Sequence, residues 1–319
     1  MKKIGVLTSG GDAPGMNAAI RAVVRTAIYE NMEVVGIKKG YRGLLTNDMC
    51  EMDNRSVSDI LHRGGTILQT ARCLEFKTDE GLRLGIENAK KLGIEGLVVI
   101  GGDGSFRGAR DLSLNGIPTI GIPGTIDNDI SCTEYSIGYD TALDTVKDAI
   151  DKIRDTCRSH ERCSIIEVMG HGAGYIAATV AIACGAEVAI VPERPYNLEE
   201  IIVSMKKGKE RGKEFNLLVV SEGICDVIAM AKQIEDETGI ESRATILGHI
   251  QRGGSPTVKD RVTATRMGMR AVELLKQGKS NRVVAIRHDD IVDFDILEGL
   301  SMKKEFNDEL LNMIKILSK

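Results

Sequence analysis

The chain of 319 residues has no tryptophan, only 3% aromatic residues and no apolar run long enough to span a membrane. The apolar run after its amino-terminal lysines is too short for a secretory signal, which predicts a cytoplasmic protein. The seven cysteines are odd in number and form no Cys-x-x-Cys pair, so free thiols in a reducing compartment are expected. The His-Glu-x-x-His motif is also absent, so a zinc hydrolase is not indicated.

The formal net charge of −4 gives no indication of a nucleic-acid or membrane surface. The length suffices for about two domains with a cleft between them. Short apolar runs alternate with longer helical patterns, which predicts an α/β fold with parallel sheets. The predicted strands are residues 4–8, 34–37, 97–100, 119–122, 164–169, 188–191, 217–220, 244–247 and 283–286.

An acidic segment follows the apolar run 118–122 directly, with the sequence Pro123-Gly124-Thr125-Ile126-Asp127-Asn128-Asp129. In an open α/β sheet, the loops beyond the carboxyl ends of the strands form the ligand crevice, so Asp127 and Asp129 are expected to face substrate. A general base and a metal partner are the roles that suit these carboxylates. A polar turn is the alternative for this fragment taken alone.

Two glycine-rich turns each lie between a predicted strand and a predicted helix. They are Thr8-Ser9-Gly10-Gly11-Asp12-Ala13-Pro14-Gly15 and Gly101-Gly102-Asp103-Gly104-Ser105. Glycine lets the backbone approach a phosphate, and the helix behind offers free amides and the positive end of its dipole. Neither turn matches a Walker loop or a dinucleotide fingerprint. Asp103 fits such a turn if a divalent cation bridges carboxylate and phosphate oxygens, whereas an ordinary tight connection is the alternative.

Basic residues in the second half indicate anion binding. His249 and Arg252 are three apart in a glycine loop after a predicted strand, which suits a phosphomonoester. Arg243 precedes that strand, and Arg162 follows the end of a predicted helix. A solvated surface charge is the alternative for any one of these arginines.

A rival function arises from Gly172-Ala173-Gly174, which begins a Gly-x-Gly-x-x-Ala pattern after the strand 164–169, with Glu193 downstream. This pattern is typical of dinucleotide-binding oxidoreductases. It leaves the three loops above unexplained. A catalytically silent nucleotide-binding subunit is a further alternative.

Five segments in order closely resemble the bacterial ATP-dependent 6-phosphofructokinases, in register from residue 1 to about residue 300. They are the two glycine turns, the first extended to Ala18, the segment 123–129, Glu167-Val168-Met169-Gly170, and Gly248-His249-Ile250-Gln251-Arg252-Gly253-Gly254-Ser255-Pro256. The resemblance implies two similar lobes, each a mainly parallel sheet flanked by helices, with the active site in the cleft between them. It places an ATP-binding lobe at 1–138 plus 251–301 and a sugar-phosphate lobe at 139–250 plus 302–319.

The implied reaction transfers the γ-phosphoryl group of ATP to the C1 hydroxyl of fructose 6-phosphate. Asp127 would accept the hydroxyl proton, Asp103 and Asp129 would hold Mg²⁺, and Gly11, Arg72, Thr125 and His171 complete the implied catalytic set. The implied nucleotide contacts are Gly11, Tyr41, Arg72, Cys73, Gly102, Asp103, Gly104, Ser105 and Gly108. The implied sugar-phosphate contacts are Thr125, Ile126, Asp127, Met169, Gly170, His171, Glu222, His249, Ile250, Gln251 and Arg252. Arg162 and Arg243 would come from a neighbouring subunit, which implies a homotetramer.

The phosphoryl donor is predicted from two glycines. Relatives that use pyrophosphate characteristically carry Asp at the position of Gly104 and Lys at the position of Gly124. An Asp side chain would crowd and repel the α-phosphate of ATP, whereas a Lys would neutralise the charge of pyrophosphate. With glycine at both positions ATP is favoured, and a pyrophosphate-dependent enzyme is the alternative.

The resemblance also implies an effector site for ADP or GDP as activator and phosphoenolpyruvate as inhibitor. The implied residues are Arg21, Arg25, Arg154, Gly185, Glu187, Arg211 and Lys213. Seen alone, Arg21 and Arg25 are a solvated pair on one helix face. A further effector arginine of the family is missing, because position 54 is Asn54.

The clearest departure from the family pattern is His171, since an arginine usually follows Met-Gly at this point. That arginine is thought to help neutralise charge near the transferring phosphoryl group. Our hypothesis is that His171 is a weak or pH-dependent donor, because arginine is always charged and histidine is not. The alternative is that His171 only packs in the turn.

Overall fold

The computed structural model describes residues 1–318, and they divide into two units. The first unit comprises residues 1–126, 130–141 and 252–304, and the second comprises residues 127–129, 142–251 and 305–318. Each unit is built around its own sheet.

Strands and helices alternate along most of the chain. Strands β1 to β11 span Lys3–Thr8, Glu33–Ile37, Met49–Met52, Gly96–Gly101, Thr119–Pro123, Cys163–Val168, Val188–Ile190, Asn216–Ser221, Ser242–Ile246, Arg282–Arg287 and Asp290–Asp295. Helices α1 to α11 span Met16–Tyr29, Tyr41–Thr46, Asp79–Lys91, Asp103–Leu114, Tyr139–His160, Tyr175–Ala183, Leu198–Glu210, Val227–Thr238, Val258–Lys276, Ile296–Ser301 and Asp308–Leu317.

The sheet of the first unit has seven strands in the order β11-β10-β5-β4-β1-β2-β3 within the described residues. Its central strands are parallel and fully buried, because their apolar runs are continuous rather than alternating. Only the outer strands β3 and β11 pair antiparallel with their neighbours. Helix α9 packs closely on α1, where a Cβ on Gly268 would lie 2.7 Å from the Cβ of Ala22. This close approach accounts for a glycine in the middle of α9.

The sheet of the second unit has four parallel strands in the order β7-β8-β6-β9. Ile165, Leu218 and Val220 lie in its core, together with apolar residues of α7 and α8. Helix α8 begins at an Asp226 cap, whose side chain accepts from the amides of Ile228 and Ala229.

The mainly parallel α/β class that the sequence predicts is confirmed. Each predicted strand overlaps an observed strand, whereas β3 and β11 were not predicted from the sequence. Among the helices formed by residues 1–318, none combines the length and the apolar character needed to cross a membrane.

Candidate active site

The carboxyl ends of β1, β4 and β5 bring the starts of the three predicted loops side by side in the first unit. Thr8 and Ile100 are register partners, and the Ser9 amide donates to the Ile100 carbonyl oxygen at 2.9 Å. The Gly124 amide donates to the Gly101 carbonyl oxygen at 3.0 Å. The three loops therefore share one edge of the sheet, as expected for the ligand-binding edge of an open α/β sheet.

Glycine occupies positions of the second loop for two different reasons. A Cβ on Gly101 would lie 2.4 Å from the Ser9 carbonyl oxygen and 2.5 Å from Oγ of Ser105, so only glycine fits there. A Cβ on Gly102 or Gly104 would meet no atom of residues 1–318 within 4 Å. The backbone at those two positions is therefore open to a ligand, which suits a phosphate-binding turn at the start of α4.

Tyr41 forms a fixed wall beside this turn. Its ring stacks on Phe76 with centroids 4.2 Å apart, and its hydroxyl donates to the Ser105 carbonyl oxygen at 2.5 Å. Burial raises the pKa of Tyr41 well above its ordinary value. A Cβ on Gly108 would lie 2.7 Å from this ring, so the glycine makes room for it. The contribution of Phe76 was not predicted, because no local motif marks it.

The segment that carries the predicted nucleotide residues 72–73 is attached to the first glycine turn. Oγ1 of Thr8 donates to the Gln69 carbonyl oxygen at 2.8 Å, and Oγ1 of Thr70 donates to the Gly10 carbonyl oxygen at 2.6 Å. Arg72 is exposed and Cys73 is half-buried. These two bonds fix the segment on which Arg72 stands, while its side chain remains in solvent.

Arg252 lies against the same turn. Its Nη1 donates to the Asp12 carbonyl oxygen at 3.4 Å, and a Cβ on Gly11 would lie 2.3 Å from Nη1. The guanidinium therefore adds a positive charge to a turn that already has the geometry for an anion. The assignment of Arg252 to a sugar phosphate stays a prediction.

Asp103 begins α4 with its carboxylate toward the helix surface. Nε of Arg107 lies 2.7 Å from Oδ1 of Asp103, and this hydrogen bond raises the pKa of Arg107. Residues 1–318 contain no group of three or more His, Cys, Asp or Glu that could hold a metal ion. Mg²⁺ is usually held by one or two carboxylates together with substrate phosphates. The half-exposed carboxylate of Asp103 fits a magnesium ion of that kind.

The predicted general base lies in a buried part of the acidic segment. Asp127 and Asn128 are each 5% exposed, and Asn128 has the left-handed conformation, with φ of 52°. Asp129 is half-buried, and its charge contributes to the raised pKa of Tyr175, after burial and the charge of Glu193.

In the second unit, the carboxyl ends of β6, β8 and β9 bring together several predicted sugar residues. The Met169 amide donates to Oε1 of Gln251 at 3.1 Å. The amides of Gly170 and His171 donate to Oε1 of Glu222 at 3.3 and 3.0 Å. Gln251 is fully buried, so it supports the loop, whereas its neighbours His249 and Ile250 are exposed.

His171 occupies the left-handed region with φ of 49°, and its side chain is exposed. Histidine is among the residues that tolerate this conformation better than most. The surroundings are acidic, since burial and the charges of Glu222 and Asp226 raise the pKa of Glu167. The backbone therefore holds His171 in place without using its imidazole.

Arg162 and Arg243 lie at the opposite edge of this sheet. Arg162 comes directly before β6, and Arg243 lies in the first residues of β9, so both are at the amino ends of their strands. Both contact Glu241: Nε of Arg162 lies 2.7 Å from one carboxylate oxygen, and Nη2 of Arg243 donates to the other at 2.5 Å. Strands of five or six residues span about 16–20 Å at about 3.3 Å per residue. The sheet thus separates these two arginines from Met169 and Glu222.

Three predicted effector residues line one cavity of about 720 Å³ in the second unit. Glu187 and Lys213 form an ion pair at 2.8 Å, and Arg211 lies beside them. Lys207 and Lys315 also line the cavity, and the sequence did not predict them, because α7 and α11 are distant in the chain.

The other predicted effector residues lie on several elements. Arg154 lies over the Phe215 ring at 5.9 Å, and Gly185 has a φ of 60°. Arg21 and Arg25 lie on one face of α1, where burial and the charge of Arg25 lower the pKa of Arg21. None of the effector assignments follows from geometry alone.

The Gly172 loop lacks a free pyrophosphate site. The Gly174 amide, at the start of α6, donates to Oε1 of Glu193 at 2.8 Å. A Cβ on Gly174 would lie 2.4 Å from the Cβ of Val191, so close packing explains this glycine. The Glu193 carboxylate therefore accepts the hydrogen bond that the Gly174 amide of an oxidoreductase would donate to the dinucleotide.

Loops of this kind on the edges of mainly parallel sheets define a phosphate-binding α/β protein. Residues 3–275 match the family described as phosphofructokinase. The chain is 57% identical over 318 residues to the ATP-dependent 6-phosphofructokinase of Clostridium novyi. It is 56% identical over 318 residues to the enzyme of that name from Bacillus subtilis, and both matches cover 100% of each chain.

A solved structure of phosphofructokinase from Saccharomyces cerevisiae matches with a TM-score of 0.91 and 33% identity. That match covers 100% of this chain and 48% of the yeast chain, so this chain spans about half of that polypeptide. The chain belongs to the phosphofructokinase family, and the resemblance drawn from its motifs is confirmed.

Proposed function

We propose that this chain is a glycolytic kinase that transfers the γ-phosphoryl group of ATP to the C1 hydroxyl of fructose 6-phosphate. The products are fructose 1,6-bisphosphate and ADP. The observation that carries the proposal is the shared sheet edge in the first unit, where the loops after β1, β4 and β5 are hydrogen-bonded to each other. Full-length relatives that are named ATP-dependent 6-phosphofructokinases support the same activity.

Asp127 is proposed to accept the proton of the C1 hydroxyl. The hydroxyl oxygen then forms a bond to the γ-phosphorus as the bond from that phosphorus to the β-phosphate oxygen breaks, and ADP leaves. Phosphoryl transfer needs positioning and charge stabilisation more than covalent help. Gly11 and Thr125 supply backbone and hydroxyl groups for this, and Arg72 supplies a positive charge.

Asp103 and Asp129 are the carboxylates proposed to hold Mg²⁺. When bound with the nucleotide, the ion would neutralise charge on the phosphates. Arg107 now pairs with Asp103, so it must give up part of this contact when the ion arrives. The proposal thus assigns Arg107 the role of balancing the Asp103 charge in the absence of nucleotide.

The sugar 6-phosphate is proposed to lie between subunits of a homotetramer. His249 and Arg252 would contribute from one subunit, and Arg162 and Arg243 from the next. The support for sharing is the length of the second sheet, which keeps Arg162 and Arg243 at the edge opposite Met169 and Glu222. This placement favours a 6-phosphate site that a second subunit completes.

The alternative donor is pyrophosphate. A Cβ on Gly104 would meet no atom of residues 1–318 within 4 Å, so an Asp at this position would extend into the space proposed for ATP. Glycine at 104 and 124 leaves the α-phosphate of ATP neither crowded nor repelled, which favours ATP. The names of the full-length relatives also favour ATP.

The cavity lined by Glu187, Arg211 and Lys213 is proposed to bind effectors of the phosphorylated class, ADP or GDP as activator and phosphoenolpyruvate as inhibitor. Its four basic side chains suit phosphate groups. Glu187 would favour a nucleotide that carries magnesium over a bare carboxylate-phosphate, so that the two ligands bias opposite states.

The activity is tested with purified protein, Mg²⁺ and either ATP or pyrophosphate. We expect ADP formation that depends on fructose 6-phosphate, and no comparable turnover with pyrophosphate. Asp127→Ser should lower kcat at least about a thousandfold while sugar-phosphate affinity stays within about tenfold, because a general base acts mainly in the transition state. Asp144→Ser, at an exposed position of α5, is the matched control. Near-normal turnover of the Asp127 variant would remove this residue from the mechanism.

A further inference from the structure

Asp260, in the first turn of α9, is fully buried and accepts four hydrogen bonds from one short segment, residues 135–141. Oδ1 accepts from the Tyr135 hydroxyl and the Gly138 amide, both at 2.7 Å. Oδ2 accepts from the Thr141 amide at 2.9 Å and from the Thr141 hydroxyl. Burial raises the pKa of this carboxyl, and the four bonds counter the rise because they favour the charged form.

The segment 135–141 holds the backbone that leads to the proposed general base. The Thr125 amide donates to the Ile137 carbonyl oxygen at 3.1 Å, and the Ile137 amide donates to the Pro123 carbonyl oxygen at 3.0 Å. Oγ of Ser136 donates to the Thr125 carbonyl oxygen at 2.8 Å. Both backbone polar groups of Thr125 are therefore bonded to this segment, two residues before Asp127.

The same segment also packs on the first glycine turn. A Cβ on Gly138 would lie 2.6 Å from the Cβ of Ala13, and a Cβ on Gly15 would lie 2.7 Å from Cγ2 of Ile137. No side-chain atom can be added at either glycine without moving one of the two segments. Two of the loops proposed to handle the transferring phosphoryl group thus rest on residues 135–141.

Thr257 connects this segment to the loop that carries Arg252. Its hydroxyl accepts from the Asp260 amide at 3.2 Å and donates to Oδ2 of Asp140 at 2.7 Å. Its amide donates to Oγ1 of Thr141 at 3.1 Å. Asp260 is consequently the buried centre of a network that reaches three loops of the first unit.

We propose that Asp260 is a positioning residue for phosphoryl transfer, which fixes the Thr125 backbone and the first glycine turn through residues 135–141. The proposal rests on the proposed function, and it assigns Asp260 no contact with substrate. A shift of about 1 Å in such loops can cost about a hundredfold in rate, because the reacting atoms must be aligned.

The test is Asp260→Asn, which keeps size but places an NH₂ group where a carboxylate oxygen now accepts. We expect kcat to fall about tenfold to a hundredfold, with KM for both substrates within about threefold. Tyr135→Phe removes one of the four donors and should give a smaller fall with the same pattern. The control is Asp293→Asn, since Asp293 lies in the first unit with a side chain only 8% exposed, and it accepts from Arg270 at 3.1 Å and from Arg282 at 2.8 Å.

Asp293 pairs with Arg270, Lys279 and Arg282, which all lie outside residues 135–141, so its variant should lower the denaturation midpoint and keep kcat. Amide hydrogen exchange provides the second readout. The exchange rate of the Thr125 amide should rise in Asp260→Asn and stay unchanged in Asp293→Asn. An unchanged kcat in Asp260→Asn, or activity that falls with the midpoint equally in both variants, would overturn the proposal. If Asp260→Asn does not fold, Tyr135→Phe decides by the same split between kcat and KM.

Failure of the proposed kinase activity and failure of the positioning role of Asp260 give different results. If the unaltered protein forms no ADP with fructose 6-phosphate, the proposed function fails while the exchange of the Thr125 amide still reports the effect of Asp260. If the unaltered protein is active and its Asp260 variant is equally active, only the positioning role fails.

Discussion

Gly108→Ala is expected to displace the Tyr41 ring, which lies beside the predicted nucleotide-binding turn. The new Cβ would lie 2.7 to 2.9 Å from Cζ, Cε2 and OH of Tyr41, whereas carbon atoms in contact prefer about 3.5–4.0 Å. The ring must move by about 1 Å, yet it stacks on Phe76 and its hydroxyl is bonded to Ser105. We expect this movement to weaken the stacking on Phe76, the hydrogen bond to the Ser105 carbonyl oxygen, or both.

The expected change in stability follows from three contributions. Alanine is favoured over glycine within a helix by about 0.8–1 kcal/mol. Overpacking a buried ring costs about 1–3 kcal/mol, and weakening the Tyr41 hydrogen bond costs about 0.5–1.5 kcal/mol. The net destabilisation is therefore about 0.5–3.7 kcal/mol. Gly104→Ala, in open space on the same helix, should instead gain up to about 1 kcal/mol.

Urea denaturation at one protein concentration compares the two variants, and steady-state kinetics gives KM for each substrate. We expect KM for ATP to rise in Gly108→Ala and KM for fructose 6-phosphate to stay unchanged, because only the Tyr41 ring beside the predicted nucleotide site moves. Gly268→Ala is the control for destabilisation elsewhere, since its Cβ would lie 2.7 Å from the Cβ of Ala22. It should lower stability without raising KM for ATP. A Gly108 variant as stable as the Gly104 variant would refute the reasoning.

His171→Arg should raise kcat/KM by about 0.5–1.5 kcal/mol of transition-state stabilisation, because arginine supplies a permanent positive charge at this position. An unchanged or lower kcat/KM would leave His171 as a structural substitution. MgATP should slow the alkylation of half-buried Cys73 but not of half-buried Cys50, and equal labelling of both would contradict the placement of the nucleotide. Subunits with Arg243→Ser and with Asp127→Ser, each nearly inactive, should regain activity when unfolded and reassembled together. Hybrids without activity would show that each sugar site is built within one chain.

The central strands could be predicted because their apolar runs are continuous, as in the fully buried residues 97–100. The edge strand Asp290–Asp295 could not, since half of its residues are aspartates and they do not alternate strictly with the apolar ones. Its Asp293 is satisfied by Arg270 and Arg282, a pairing that only the folded chain reveals. Edge strands thus depend on partners that the local pattern does not contain.

The glycine loops of the site could be predicted for a related reason, since each follows a strong strand signal and precedes a helix. The support beneath them could not. Asp260 contacts residues more than a hundred positions away, and its own neighbourhood in the sequence reads as an ordinary helix start. Phe76 was missed likewise, because its stacking on Tyr41 depends on how α2 and the 3₁₀ turn at Glu75–Lys77 meet.

The order in which the strands are synthesised has a consequence for folding on the ribosome. The four strands of the second unit lie within residues 163–246, whereas the sheet of the first unit needs β10 and β11 from residues 282–295. Until those strands emerge, the buried strand β5 is left as an unpaired parallel edge, which is a template for association with other nascent chains. Nascent chains from which β9 has emerged but β10 has not should therefore bind chaperones more than the full-length chain released from the ribosome.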